Sequence, residues 1–191
     1  MVELRRGFKT WCENTARGYR RELNLAATAP LDPRNLARHL GIKIWTPADI
    51  PGLDEKYVHH LTVTARDSWS AATLRNGNAS LIIINDGHPL TRQANSLAHE
   101  IGHVVLRHEP AKMYLTPDGL MMMSDYNSIH EEEATWFAGA ILVPRDALVE
   151  VIKNGVADGV AAQHFGVSVD LFVMRRRRTG VDIQISRSRG T

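Results

Sequence analysis

The stretch Leu97-Ala98-His99-Glu100-Ile101-Gly102-His103-Val104-Val105 decides how the rest of the chain is interpreted. Apolar residues recur at helical spacing within it and before it, which predicts an amphipathic helix over about residues 89–106. In such a helix His99 and His103 lie one turn apart and about 40° around the axis, so both imidazoles can face one ion. Two neutral imidazoles suit zinc, and Glu100 is placed where a carboxylate could take a proton from water.

Chance is a poor explanation for this motif. The chain has 9 histidines among 191 residues, and its composition gives about 0.02 accidental matches to two histidines at this spacing with a glutamate after the first. Catalytic zinc sites combine three protein ligands with one open position, so the motif requires a third ligand from elsewhere.

The third ligand is sought in an acidic run, Glu131-Glu132-Glu133, at the start of a second predicted helix over residues 129–142. Helical phase puts Glu131 on the apolar, inward-facing stripe of this helix, where a carboxylate is costly unless it is paired or bound to a metal. Glu133 is the fallback ligand, and Glu132 is expected to be solvated. Phase therefore favours one Zn²⁺ per chain held by His99, His103 and Glu131, with Glu100 as the catalytic general base.

Four other polar residues are weaker candidates. His130, Tyr126 and Arg92 could donate a hydrogen bond to a developing oxyanion or lie around the ligands, although a packing or surface role is the competing interpretation for each. His108 is expected to cap the end of the zinc-motif helix or to orient a neighbouring side chain.

The remaining pattern predicts an α+β fold, in which a small mixed or antiparallel sheet packs on a helix bundle that carries the zinc motif. Strands are expected near residues 42–45, 69–74 and 81–85, the last two forming a hairpin around Asn76-Gly77-Asn78. Residues 108–128 are expected to be a loop or a short helix, and residues 181–185 a last strand. We expect a metallopeptidase-like domain over residues 1–155 and a small helix-turn-helix-like segment, packed on it, over residues 156–191.

Composition and charge narrow the class of protein. A hydrophobic content of 43% and a single cysteine are typical of a globular chain without disulfides. The charged N-terminal region and the shortness of the longest apolar run, Trp136–Val143, predict a cytoplasmic protein with no membrane partner.

A basic C-terminal end is the one strong charge asymmetry. Residues 171–191 contain six arginines and one aspartate, although the whole chain has a formal net charge of only +2. Arg175, Arg176, Arg177 and Arg178 could contact nucleic acid through its phosphates. The alternative is a solvated helix end whose cations complement the helix dipole.

The sequence resembles the ImmA/IrrE metallopeptidases over about residues 25–178. The resemblance implies a gluzincin-like zinc site with His99, His103 and Glu131 as ligands and Glu100 as general base. It also implies a substrate class, namely helix-turn-helix repressors of mobile elements or stress regulons, whose cleavage derepresses genes. The matching segments are Leu31–Pro33, Gly41–Ile44, Ile82–Asn85, Arg92-Gln93, Ala98–His103, Glu131–Ala134, Phe137-Ala138 and Ile141–Pro144.

Two classes of function remain open from the sequence. The first is a zinc-dependent endopeptidase that cleaves a protein substrate. The second is a binding module that sequesters a repressor or contacts DNA, or one half of a toxin–antitoxin-like pair, with a structural zinc site. An intact Glu100 favours the first class, because a structural site has no use for a general base.

Overall fold

The helix that carries the zinc motif, α4 (Leu90–Val105), packs along a second helix, α5 (Ser128–Leu142). The computed structural model describes residues 4–109, 112–115, 121–124 and 127–189. Its other helices and strands are α1 (Phe8–Glu22), α2 (Pro33–His39), β1 (Lys43–Trp45), α3 (Glu55–His59), β2 (Ala71–Asn76), β3 (Ala79–Ile84), β4 (Lys112–Leu115), β5 (Met121–Ser124), α6 (Arg145–Lys153), α7 (Asp158–Phe165), α8 (Val169–Thr179) and α9 (Val181–Arg189).

A three-stranded mixed sheet lies beside α4, with strand order β1-β3-β2. The strand β1 runs parallel to β3, whereas β2 and β3 form the antiparallel hairpin predicted around Gly77. Ile82 and Ile84 of the central strand are fully buried, because neighbouring strands and helices cover it. Together with the predominance of helices, this sheet confirms the predicted α+β fold.

The helix α5 is buried on every side from Trp136 to Leu142, as expected for a segment that is apolar all round. One apolar cluster joins it to α1, α2, α4 and β3 through residues such as Phe137 and Ile141. A second cluster joins it to the helices that follow, through residues such as Ala138 and Leu142. The C-terminal half of α5 is therefore packed against other elements on both sides.

Two buried arginines hold the C-terminal end of α5. Arg20 donates a hydrogen bond of 2.7 Å to the carbonyl of Ile141, and Arg175 donates one of 3.0 Å to the carbonyl of Val143. Because the last carbonyls of a helix lack partners within the helix, guanidinium groups there satisfy them and complement the helix dipole. Arg175 also forms a buried ion pair with Glu13 of α1.

Two predicted elements were wrong. Residues 181–185, expected as a strand, lie in α9, where Val181 and Ile185 bury one helical face together. Residues 108–128, expected as a loop or a short helix, contain the antiparallel hairpin of β4 and β5, whose pairing rests on backbone hydrogen bonds that a side-chain pattern does not reveal.

Among the described residues, no helix combines the length and the apolar character needed to cross a bilayer.

Replacing Arg175 tests the support at the end of α5. We expect Arg175→Met to lower the free energy of unfolding by about 3 kcal/mol, because it leaves a charged Glu13 without its buried partner. Chemical denaturation measures the change. The matched control is Arg177→Met, on the exposed side of the same helix, which should change stability by less than about 0.5 kcal/mol. Equal effects of the two substitutions on the free energy of unfolding would contradict a supporting role of Arg175 at the end of α5.

Gly102 marks the closest approach of α4 to α5. A Cβ at this position would lie 3.2 Å from the Cα of Ala134 and 3.2 Å from Cδ1 of Phe137. We expect Gly102→Ala to lower the free energy of unfolding by about 1 kcal/mol, since crowding outweighs the better helix propensity of alanine. Gly18→Ala, in α1 with no atom within 4 Å of the new Cβ, should instead raise it by about 0.5 kcal/mol. Stabilisation by both substitutions would argue against a close approach.

Candidate metal centre

Three side chains from α4 and α5 converge on one point. His99 and His103, one turn apart on α4, have Nε2 atoms that lie 3.0 Å from each other. Glu131, in the first turn of α5, has Oε2 at 3.1 Å from His99 Nε2 and Oε1 at 3.5 Å from His103 Nε2. These three residues form a group whose ligand atoms could hold a metal ion.

The donor set fits zinc in both chemistry and spacing. Bonds of 2.0–2.1 Å to a tetrahedral ion place neighbouring ligand atoms about 3.3 Å apart, close to the separations between these three side chains. Two imidazoles with one carboxylate also make up a three-ligand set known from catalytic zinc sites, which leaves one position open. The arrangement therefore suits a catalytic ion better than a closed structural one.

His103 is held in the neutral form that a metal requires. Burial, reinforced by the neighbouring imidazoles of His99 and His108, lowers the pKa of His103 to about 3. An imidazole with so low a pKa is neutral at physiological pH, so a lone pair is available on one ring nitrogen.

Glu100 lies beside the candidate ligands without joining them. Its Oε2 accepts a hydrogen bond of 2.5 Å from the hydroxyl of Thr73, on β2. Burial raises the pKa of Glu100, and the hydrogen bond from Thr73 opposes this shift. A buried carboxyl with a raised pKa is a stronger base than an exposed one, which is the property a proton acceptor at this position requires.

The other two acids of the run have partners of their own. Glu132 forms an ion pair of 2.9 Å with Arg178 of α8. Glu133 lies 3.0 Å from Nε2 of His108, whose Nδ1 in turn lies 3.0 Å from Nδ1 of His103. Of the three acids, the structure therefore brings Glu131 to the two histidines, the position for which helical phase favoured it.

The weaker candidates lie in different surroundings. The ring of His130 stacks on that of His108 with centroids 4.1 Å apart. Arg92 lies two turns before His99 on the same face of α4, and it donates hydrogen bonds to Asp67 and Ser70. Tyr126 lies outside the described residues.

The C-terminal arginines are largely engaged within the protein. The side chain of Arg175 is only 2% exposed, so it is not available for contact with a phosphate backbone. Arg176 pairs with Asp158 and Asp182, and Arg178 pairs with Glu132. Arg177 is exposed, and no ion pair is found for it among the described residues.

Sequence reasoning missed three polar residues around the site. Thr73 and Arg75 lie on the inward face of β2, where Arg75 donates hydrogen bonds to the carbonyls of His103 and His108. Thr135, one turn after Glu131, has its hydroxyl 3.5 Å from Nδ1 of His99. Alternation along a strand places Thr73 and Arg75 on one face, but it does not show that this face is the inward one, because the apolar Leu74 is exposed on the other.

The fold and this site define a class. Two histidines on one helix meet an acid from a neighbouring helix, with a buried glutamate beside them, and the motif helix packs against a small sheet. This combination is typical of zinc-dependent metallopeptidases. Residues 38–176 match the model of the IrrE N-terminal-like domain family, Peptidase_M78, and the chain belongs to this family. This confirms the family resemblance found in the sequence. Comparison with curated proteins gives no match.

Metal content tests the ligand assignment. We expect about one zinc per wild-type chain by mass spectrometry of the tag-free protein, and a loss of zinc in Glu131→Gln, because the amide removes the negative charge that faces both imidazoles. Glu132→Gln is the matched control, since its side chain pairs with Arg178, and it should bind zinc like the wild type. Zinc retention by Glu131→Gln together with loss in Glu132→Gln would overturn the assignment.

Proposed function

We propose that the protein is a zinc-dependent endopeptidase in which His99, His103 and Glu131 hold the metal and Glu100 is the general base. The observation that carries the proposal is the convergence of three ligand atoms, at 3.0 to 3.5 Å from one another, next to a buried glutamate that is not one of them. A structural zinc site would have no use for that fourth residue.

The division of labour follows from the positions of the side chains. A zinc ion held by His99, His103 and Glu131 would polarise the scissile carbonyl and would favour loss of a proton from the attacking water near neutral pH. Glu100 takes the proton from that water and passes it to the leaving amine. The hydrogen bond from Thr73 restrains the carboxyl of Glu100, so that the base is oriented before the substrate arrives.

An extended substrate could bind along β2. Within the described part of the chain this strand pairs on one side only, with β3. An unpaired strand edge can accept a peptide by adding a strand to the sheet. Because Thr73 of β2 contacts Glu100 directly, a peptide on this edge would pass close to the catalytic base.

As substrate we propose a helix-turn-helix transcriptional repressor, whose cleavage derepresses its genes. The family resemblance supports this substrate class. Peptide N-termini from host cells that express the wild type or Glu100→Gln provide an unbiased test. A new N-terminus inside a helix-turn-helix protein, found with the wild type alone, is the expected result. Wild-type-dependent cleavage only in proteins of other classes would exclude the repressor.

Replacing the base separates catalysis from metal binding. We expect Glu100→Gln to abolish cleavage, by a factor of about 10³ or more, and to keep one zinc per chain, because the amide preserves the shape of the side chain but cannot accept the proton. Activity and zinc content are measured on the same preparation. Glu109→Gln, an exposed acid beyond the end of α4, should leave both unchanged. Full activity in Glu100→Gln would refute the role of general base.

A further inference from the structure

A chain of three side chains leads away from the candidate metal ligand His103. Its Nδ1 lies 3.0 Å from Nδ1 of His108, and Nε2 of His108 lies 3.0 Å from Oε2 of Glu133. The side chain of His108 is only 5% exposed and that of Glu133 only 13%. These contacts thus form a buried connection from the candidate ligand His103 to a carboxylate that is not itself a candidate ligand in this structure.

One placement of protons satisfies every contact in this chain. Nε2 of His103 faces His99 and Glu131, so a ligand role requires its lone pair there and its proton on Nδ1. That N–H donates to Nδ1 of His108, which is therefore the acceptor nitrogen of its ring. The proton of His108 then lies on Nε2, where it donates to the Glu133 carboxylate.

The backbone builds His108 into this position. The helix α4 ends with Arg107 in the left-handed region, at φ 56°, and the amide of His108 donates to the carbonyl of His103 at 3.0 Å. This Schellman-type ending folds the chain back so that His108 faces the ring five residues before it. Arg75 donates to the carbonyls of both histidines, at 2.8 and 3.1 Å, and fixes their separation.

Among the residues that the structure describes, His99 has no comparable support. The nearest partner of its Nδ1 is the hydroxyl of Thr135, at 3.5 Å, which is at the limit of a hydrogen bond. A left-handed Arg107 is an uncommon conformation for a residue with a side chain. The difference in support between His103 and His99 and the left-handed conformation of Arg107 both indicate that this set of side chains serves His103 in particular.

We propose that Glu133 and His108 are positioning residues that hold His103 in its ligating tautomer and orientation, and thereby strengthen zinc binding. The proposal rests on the proposed zinc site. A carboxylate that accepts a hydrogen bond from an intervening imidazole makes the ligand nitrogen more basic, as direct carboxylate–histidine pairs do in other metal sites. The parallel ring of His130, stacked on His108, keeps the intermediate ring in plane.

Zinc affinity, measured by competition with a chelating dye, tests the proposal on the intact chain. His108→Phe retains a ring that can stack on His130 but removes both nitrogens, and we expect it to weaken zinc binding about 10- to 100-fold. Glu133→Gln should weaken binding about 10-fold, because a neutral amide is a poorer acceptor. The double variant should lose no more than His108→Phe alone, since Glu133 acts through His108.

A matched control and a spectroscopic readout separate positioning from loss of structure. Glu132→Gln, one residue away on α5, should keep wild-type affinity. In the metal-free wild type, ¹⁵N spectra of the histidines should show His103 protonated on Nδ1 and His108 protonated on Nε2. This spectrum decides the proton placement even where a variant does not fold.

The possible failures are distinguishable. If the wild type binds zinc, and both His108→Phe and Glu133→Gln bind it with an affinity within twofold of the wild-type value, the positioning role is overturned. The proposed peptidase function is left intact by that result. The opposite tautomers in the wild type would also overturn the positioning role. A wild-type chain that binds no offered zinc would overturn the proposed function, and the positioning role with it.

Discussion

The close contact of α4 and α5 is the constraint on which the metal centre depends. Gly102 lies against the backbone of Ala134, within a distance that leaves little room for a side chain. Ligand atoms from the two helices are only 3.1 to 3.5 Å apart, so a wider helix spacing would separate Glu131 from the histidines. The burial of the C-terminal half of α5 and the hydrogen bonds of Arg20 and Arg175 at its C-terminal end hold this helix against the rest of the core.

The parts of the fold that could be predicted from the sequence are those with a strong local signal in apolar residues or turn residues. The helix α4 has a regular apolar spacing, α5 contains a long apolar run, and the hairpin of β2 and β3 is marked by its turn residues. The strand expected at residues 181–185 was wrong because Val181 and Ile185, four residues apart, also share one face of a helix, on which both are buried, while Ile183 is exposed on the opposite side. The tertiary structure decides between them, since Val181 is part of the second apolar cluster and Ile185 is buried one turn later.

Within the site, the spacing of the histidines and the helical phase of the glutamates predicted which ligand residues could meet. They did not predict which residues support those ligands. His99, His103 and Glu131 are brought together by two helices whose faces are readable from the sequence. Thr73, Arg75 and the contact of His108 with Glu133 depend instead on how a strand edge and a helix ending pack against those helices. Hydrophobicity alone would place Leu74 inside and Thr73 outside, which is the reverse of their burial. Such an inversion costs apolar burial, and it is a sign that the inward face of the strand has a polar task.

The arginine run shows why local charge is a poor guide to a partner. Arg175 and Arg178 are both directed from α8 to α5, one to its C-terminal carbonyls and the other to Glu132, next to the candidate ligand Glu131. The helix α8 therefore contacts both ends of the helix that supplies the acid. Because three of the four cations are neutralised by acids of the same chain, the positive charge that a count of residues suggests is largely absent from the surface. The contacts of Arg175 and Arg178 with α5 are made within the protein, whether or not the exposed side of α8 contacts another molecule.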